Sequence, residues 1–231
     1  VSTPTVVLVP GAGGVAAYWH LVQAGLTTRG IDNIAVDLPG DDAKAGLPAY
    51  VDLITDAAQG LDEVVIVGQS LGGFSASWAA DRLPTSAIVL LNAMIPQPGE
   101  TSGEWWDATG SSEARRVHDI LDGRDPDAPF DLTTYFLHDV PAEALAGVGE
   151  RDEGDAVFAE PWGLTAWPEV PTRVLAGRDD RFFPYEFQRR VAHQRLALDV
   201  EPIPGGHLAA LSQPDAVVEA IASSVRSVQH S

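Results

Sequence analysis

Ser70 lies between glycines in Gly68-Gln69-Ser70-Leu71-Gly72, with the apolar run 64–67 before it and a helical stretch, Gly73-Phe74-Ser75-Ala76-Ser77-Trp78-Ala79, after it. This G-x-S-x-G spacing puts a serine hydroxyl on a sharp strand-to-helix turn, the setting of a nucleophile in acyl chemistry. Glycines are needed there because the turn strains the backbone, and side chains two positions either side would crowd the strand–helix crossing. Five residues alone also fit a tight turn around an inert buried serine. The flanking strand and helix, and the partners described next, favour a nucleophile.

A serine hydroxyl is unreactive at its own pKa and needs a base held in place by an acid. Of six histidines, His207 sits in Pro204-Gly205-Gly206-His207-Leu208, after the apolar run 198–203 and before the last helical stretch. It is the expected base. His20, His193 and His230 fall in or beside predicted helices, and His118 and His138 in an irregular middle region, where packing or solvated roles are expected. For the acid, the run 172–176 leads into Gly177-Arg178-Asp179-Asp180-Arg181-Phe182-Phe183-Pro184. Two adjacent aspartates compete for the role: Asp179 could instead cap the turn or pair with a neighbouring Arg, while Asp180 would accept the His207 Nδ1–H and leave Nε2 free for the serine proton.

The elements that position these residues follow a regular beat. Apolar runs at 5–9, 33–36, 64–67 and 87–91 alternate with helical patterns at 16–29, 48–59 and 71–82, which predicts an α/β fold. Runs that are apolar throughout predict strands covered on both faces. Ligands of such sheets bind at the carboxyl edge, where Ser70, His207 and both aspartates are expected. The beat stops across 93–169, where Trp105, Trp106, Phe130, Tyr135, Phe136, Phe158, Trp162 and Trp167 are scattered among Gly, Pro and acids, with helical pieces near 113–121 and 141–148. It resumes with the run 172–176, a helix near 185–195, the run 198–203 and a helix near 214–228. The expected architecture is one domain over 1–231. Its mostly parallel six-stranded sheet has helices on both faces, and an inserted cap over 93–169 closes any pocket above Ser70. Most of the aromatics are expected to pack, with Trp105 and Trp106 as candidates for lining that pocket, and His138-Asp139 is expected as a solvated or capping pair, with a polar substrate contact as the alternative.

Composition narrows the chemistry. The chain of 231 residues has no Cys, which excludes a thiolate nucleophile, disulfides and Cys-based metal sites. Its 33 acids against 14 bases give a net charge of −19, which argues against nucleic acid and anionic membranes as partners. No metal or other cofactor is expected, since the histidines are dispersed and no H-E-x-x-H occurs. The acid-rich stretches at 41–42 and 150–155 lack calcium-loop spacing and are expected to be solvated surface. Neither a membrane-length apolar stretch nor an export signal is apparent, giving the expectation of a soluble, cytoplasmic protein acting on a small molecule. The oligomeric state is left open.

With these motifs in hand, the chain resembles the α/β-hydrolase superfamily, and its compact plan is similar to the branch of plant methylesterases and hydroxynitrile lyases and to bacterial esterases. The resemblance rests on Leu8-Val9-Pro10-Gly11-Ala12-Gly13-Gly14, Asp37-Leu38-Pro39-Gly40, the serine turn, residues 177–184 and Gly205-Gly206-His207. In that family the acid commonly stands three residues after the glycine ending its strand, which implies Asp180. The oxyanion hole implied is the backbone N–H of Leu71 and, from the first loop, of Ala12. The family often has His-Gly where this chain has Pro10-Gly11. The resemblance implies cleavage of a small carboxylic ester or thioester through an acyl-enzyme. Leu208, where family lyases carry Lys, argues against cyanohydrin cleavage. A carbon–carbon bond hydrolase, and a sensor that keeps the triad with little turnover, are the alternatives.

Overall fold

The computed structural model describes residues 3–229, so His230 lies outside the described residues. Among these residues six strands form one sheet: β1 (Thr5–Val9), β2 (Asn33–Ala35), β3 (Val64–Gln69), β4 (Thr85–Leu91), β5 (Thr172–Gly177) and β6 (Val200–Ile203). Their order is β2-β1-β3-β4-β5-β6, and every neighbouring pair is parallel. Helices α1 (His20–Thr28), α2 (Leu47–Ala57) and α3 (Gly72–Ala80) occupy the early crossovers. The β4–β5 connection contains α4 (Ser102–Thr109), α5 (Ser111–Leu121) and α6 (Ala156–Ala159), and α7 (Tyr185–Leu196), α8 (Ala209–Ser212) and α9 (Pro214–Gln229) follow.

The sheet is covered on both faces, which explains its unbroken apolar runs. Val6 and Leu8 point to the side packed by Val22 and Leu26 of α1 and Val217 and Ile221 of α9. Val7 and Val9 point to the other, against Tyr50 and Ile54 of α2, Phe74 of α3 and Phe187 of α7. A strand with apolar side chains alternating between two such cores cannot slip by one residue without exchanging both sets. The first predicted helix is not continuous: a 3₁₀ turn over Ala16–Trp19 precedes α1, where Tyr18 and Trp19 are both buried and meet edge-on at 4.9 Å.

Chain order and space order diverge in one place that matters for function. From β1 the chain moves outward to β2, then returns past β1 to β3, so the carboxyl ends of β1 and β3 face a crevice at the switch point of the sheet. That is where open parallel sheets bind ligands. Ser70 directly follows β3 and the Gly11–Gly14 loop follows β1.

Residues between β4 and β5 fold over this edge. α4 opens with a capping box in which Thr101 Oγ1 accepts the Glu104 N–H and Glu104 Oε2 accepts the Thr101 N–H, both at 3.0 Å. The helical piece expected over 141–148 shortens to a 3₁₀ turn, Ala142–Leu145, ahead of Gly147, whose φ of 79° leaves helical space. A π-helical turn, Thr133–Leu137, carries Tyr135 and Phe136 inward. The connection is fastened to the sheet side by a buried ion pair, Arg195 Nη2 to Glu100 Oε1 at 2.8 Å, and by the Trp162 indole donating to Ser77 Oγ at 3.1 Å.

Candidate active site

Ser70 occupies the turn between β3 and α3 with φ of 51°, a left-handed conformation that costs a non-glycine residue on the order of 1–3 kcal/mol. The strain is held from several sides. Its N–H donates to Leu91 O at 3.3 Å, and its carbonyl accepts the N–H of Gly73 at 3.0 Å and of Met94 at 2.9 Å. The glycines around it are required by close approach: a Cβ on Gly68 would lie 2.7 Å from Gly72 O, and one on Gly72 would lie 2.4 Å from Pro10 O.

His207 is fully buried, with Nε2 3.0 Å from Ser70 Oγ and Nδ1 2.8 Å from Asp180 Oδ2. Asp180 is also fully buried, and four donors converge on it. Oδ1 accepts the Phe182 and Phe183 N–H groups, each at 2.9 Å, and Oδ2 accepts His207 Nδ1–H and, at 3.1 Å, Gln188 Nε2. Asp179, the neighbour that spacing left open, is exposed and its Oδ2 accepts only the Gly205 N–H, at 3.2 Å. The bond from Nδ1 to Asp180 fixes the tautomer that leaves the Nε2 lone pair facing the serine hydroxyl.

Aromatic rings close over the imidazole. Phe136, Phe182 and Phe183 present near-perpendicular contacts to His207 at 4.9, 5.0 and 5.1 Å between centroids. With water excluded, the hydrogen bonds of the three polar residues are strengthened. The remaining cavity above Ser70 is about 670 Å³ and is mostly apolar. Trp106 lines it, as considered from sequence, whereas Trp105 turns into the core and donates its indole N–H to Ile95 O at 3.1 Å.

The loop after β1 faces the serine from the other side. Among the described residues, the N–H groups of Ala12 and Leu71 are given to no acceptor within the protein, and both residues line the cavity. Two free N–H groups beside a serine hydroxyl are what a developing oxyanion requires.

Three features were not legible in the spacing of motifs. Asn92, directly after β4, is fully buried at φ of 46° and ties the carboxyl-edge loops together. Its Nδ2 donates to Gly206 O at 3.0 Å and His207 O at 3.1 Å, while Oδ1 accepts the Gly177 N–H at 2.7 Å. The one available signal was an amide ending an apolar strand at the carboxyl edge, in a position where asparagine tolerates left-handed backbone. Asp139 is the second: its Oδ2 accepts the Gly206 N–H at 2.6 Å, so the His138-Asp139 pair braces the histidine loop and lines no part of the cavity. Third, the solvated surface expected over 150–155 holds for Glu150, Asp152 and Asp155 but not for Glu153, which turns inward. Glu153 Oε2 accepts the Gly13 N–H at 2.6 Å and Oε1 accepts the Tyr50 hydroxyl. Burial pushes its carboxyl above the ordinary range, against the lowering effect of those two bonds.

Residues 6–220 match the family described as "Alpha/beta hydrolase family". The chain belongs to that family. Among curated proteins it is similar to a pyrethroid hydrolase of Sphingobium wenxiniae, 26% identical over 94% of this chain and 86% of the relative. It is also similar to methylesterase 3 of Arabidopsis thaliana, 31% identical over 56% of this chain and 55% of that one. Among solved structures, polyneuridine aldehyde esterase superposes with a TM-score of 0.77 at 22% identity, covering 96% of this chain and 99% of the other. At that identity the likeness concerns the fold, and the wholly parallel six-stranded sheet is in keeping with it. Among the described residues no helix is long and apolar enough to cross a membrane.

Proposed function

We propose that this α/β-hydrolase family member cleaves a small, largely apolar carboxylic ester through an acyl-enzyme, with Ser70 as nucleophile, His207 as general base and acid, and Asp180 as the orienting acid. The observation that carries the reading is the buried relay Asp180–His207–Ser70, with contacts of 2.8 and 3.0 Å. Such a relay, its acid and base fully buried and the acid fully satisfied, is far more than a structural serine needs. The similarity to a pyrethroid hydrolase and to methylesterases supports an ester as the bond cleaved.

In this reading Ser70 Oγ attacks the ester carbonyl as its proton passes to His207 Nε2. Asp180 stabilises the resulting imidazolium, and the Ala12 and Leu71 N–H groups receive the oxyanion. Collapse of the tetrahedral intermediate expels the alcohol oxygen, which takes the proton back from His207. Water then attacks the acyl-serine with His207 again accepting a proton, and the carboxylic acid leaves with Ser70 regenerated. The apolar cavity fits an uncharged acyl or alcohol group, and three phenyl rings against His207 keep bulk water from the imidazole.

The test is a panel of p-nitrophenyl esters of increasing acyl length, run beside a vinylogous diketone. Turnover of esters with a burst of p-nitrophenol, lost in Ser70→Ala, is the expected result. Cleavage of the diketone without ester turnover would replace the reading with a carbon–carbon bond hydrolase. Absence of both would favour a binding role.

A further inference from the structure

The Gly11–Gly14 loop has little means of holding its own shape. Three of its four residues are glycine, Gly13 and Gly14 stand at φ of 83° and 67°, and its internal backbone bond is Gly14 N–H to Gly11 O at 3.1 Å. Yet an oxyanion hole is worth most when its donors are fixed before the charge develops. The Leu38 N–H secures the far end of the loop at Gly14 O, 2.8 Å away, and the anchor next to Ala12 comes from farther along the chain. Glu153 Oε2 takes the Gly13 N–H, the group adjacent to that of Ala12, and Glu153 Oε1 takes the hydroxyl of Tyr50, which is itself 2% exposed on α2.

Neighbouring residues press the same two stretches together. Arg151 O packs so closely on Gly13 that a Cβ there would lie 2.5 Å away. The Arg151 guanidinium donates to Leu38 O and to Asp37 Oδ2, the latter at 3.0 Å, and the Gly154 N–H donates to Gly40 O at 2.7 Å. Within this seam Glu153 is the side chain that bonds the glycine loop itself. A carboxylate close to a developing oxyanion repels it, so the charge of Glu153 is of no use to the transition state. Both of its oxygens are committed to protein donors, which leaves its reach and its acceptor geometry as the useful properties.

We propose that Glu153 is a positioning residue for the oxyanion hole: reaching from the β4–β5 connection, it holds the Gly13 peptide, with Tyr50 as its own support, so that the Ala12 N–H stays aimed at the Ser70 site. This rests on the reading of Ser70 as nucleophile. It also makes the cavity wall and the catalytic loop one unit, so that displacement of residues 150–154 disarms the hole as well as opening the pocket.

The experiment compares Glu153→Ala, Glu153→Gln and Tyr50→Phe for ester kinetics and for the rate of phosphonylation by a fluorophosphonate, whose tetrahedral adduct also uses the hole. The amide of Glu153→Gln can still accept from Gly13 and donate to the Tyr50 oxygen, so it should rescue. Expected are a kcat about tenfold lower in Glu153→Ala with KM within about twofold and phosphonylation slowed in parallel, a smaller loss than deleting an oxyanion donor outright. Glu153→Gln should stay within about threefold of wild type, and Tyr50→Phe should fall between them. A folded Glu153→Ala with unchanged kcat overturns the proposal, as does a Glu153→Gln no better than Ala, since that would make the charge itself the requirement. If Glu153→Ala does not fold, Tyr50→Phe decides: a kcat equal to wild type overturns the proposal, and a loss with KM preserved supports it. Ser70→Ala that keeps its turnover would instead sink the underlying reading, so the two failures are distinguishable.

Discussion

The carboxyl edge of the sheet and the β4–β5 connection both contribute to one cavity, but they are built by opposite means. At the sheet edge, Ser70 directly follows β3, and Asp180 and His207 stand on short loops after β5 and β6, loops that the buried Asn92 hub ties together through Gly177, Gly206 and His207. The connection has short, interrupted helices, and it is attached through individual side chains: Glu153 to the glycine loop, Asp139 to the histidine loop, and Phe136 to the imidazole. Regular structure therefore fixes the proposed reacting groups, while single anchors from a less regular region adjust and enclose them. Substitutions at the edge should remove chemistry, and substitutions in the connection should tune it.

The largest expected effect is at Asp180. Asp180→Asn leaves the geometry close to native but favours the wrong imidazole tautomer, and kcat for ester hydrolysis should fall by about 10³-fold or more. Asp179→Asn, one residue away but exposed, should change kcat by less than about tenfold, because Asp179 only accepts the Gly205 N–H. Steady-state kinetics on the two variants breaks the comparison if they behave alike.

Asn92→Ala tests the edge through stability. It strands the buried Gly177 N–H and the Gly206 carbonyl and leaves the His207 carbonyl with Gln69 Nε2 alone, at 3.3 Å, for an expected loss of about 3 kcal/mol in urea denaturation. A loss under about 1 kcal/mol would mean that the loops are held by something else.

The smallest effect is a pH dependence at Glu153, where burial raises the folded-state pKa. Between the unfolded and the folded pKa the folded protein binds the extra proton. Stability from this group is therefore full below the unfolded value and falls as pH rises through the folded one. Compared with Glu153→Gln, the wild type should thus lose stability between acid and neutral pH. Thermal melts of both proteins across that range check the sign, and a wild type that gains on the variant as pH rises would contradict it.

The same contrast explains what could be read from the sequence. Strands buried on both faces must be apolar throughout, and a strained turn at their ends must be glycine-rich, so β1, β3, β4 and β5 and the positions of Ser70 and His207 are written locally. Asp180 could not be separated from Asp179 by spacing. What separates them is direction: the Phe182 and Phe183 N–H groups turn back onto one carboxylate and not the other. Glu153 looked like its exposed neighbours because its partners, Gly13 and Tyr50, are distant in sequence by 140 and 103 residues. Trp105 and Trp106 are adjacent and chemically identical, yet helix geometry sends one into the core and the other to the cavity.

The central claim, that Ser70 is an activated nucleophile, is tested most directly by intact-mass spectrometry after exposure to a fluorophosphonate. A single stoichiometric adduct on the wild type, mapped to the Ser70 peptide and absent in Ser70→Ala, is the predicted result. An unlabelled wild type, or an adduct that persists in Ser70→Ala, would contradict it.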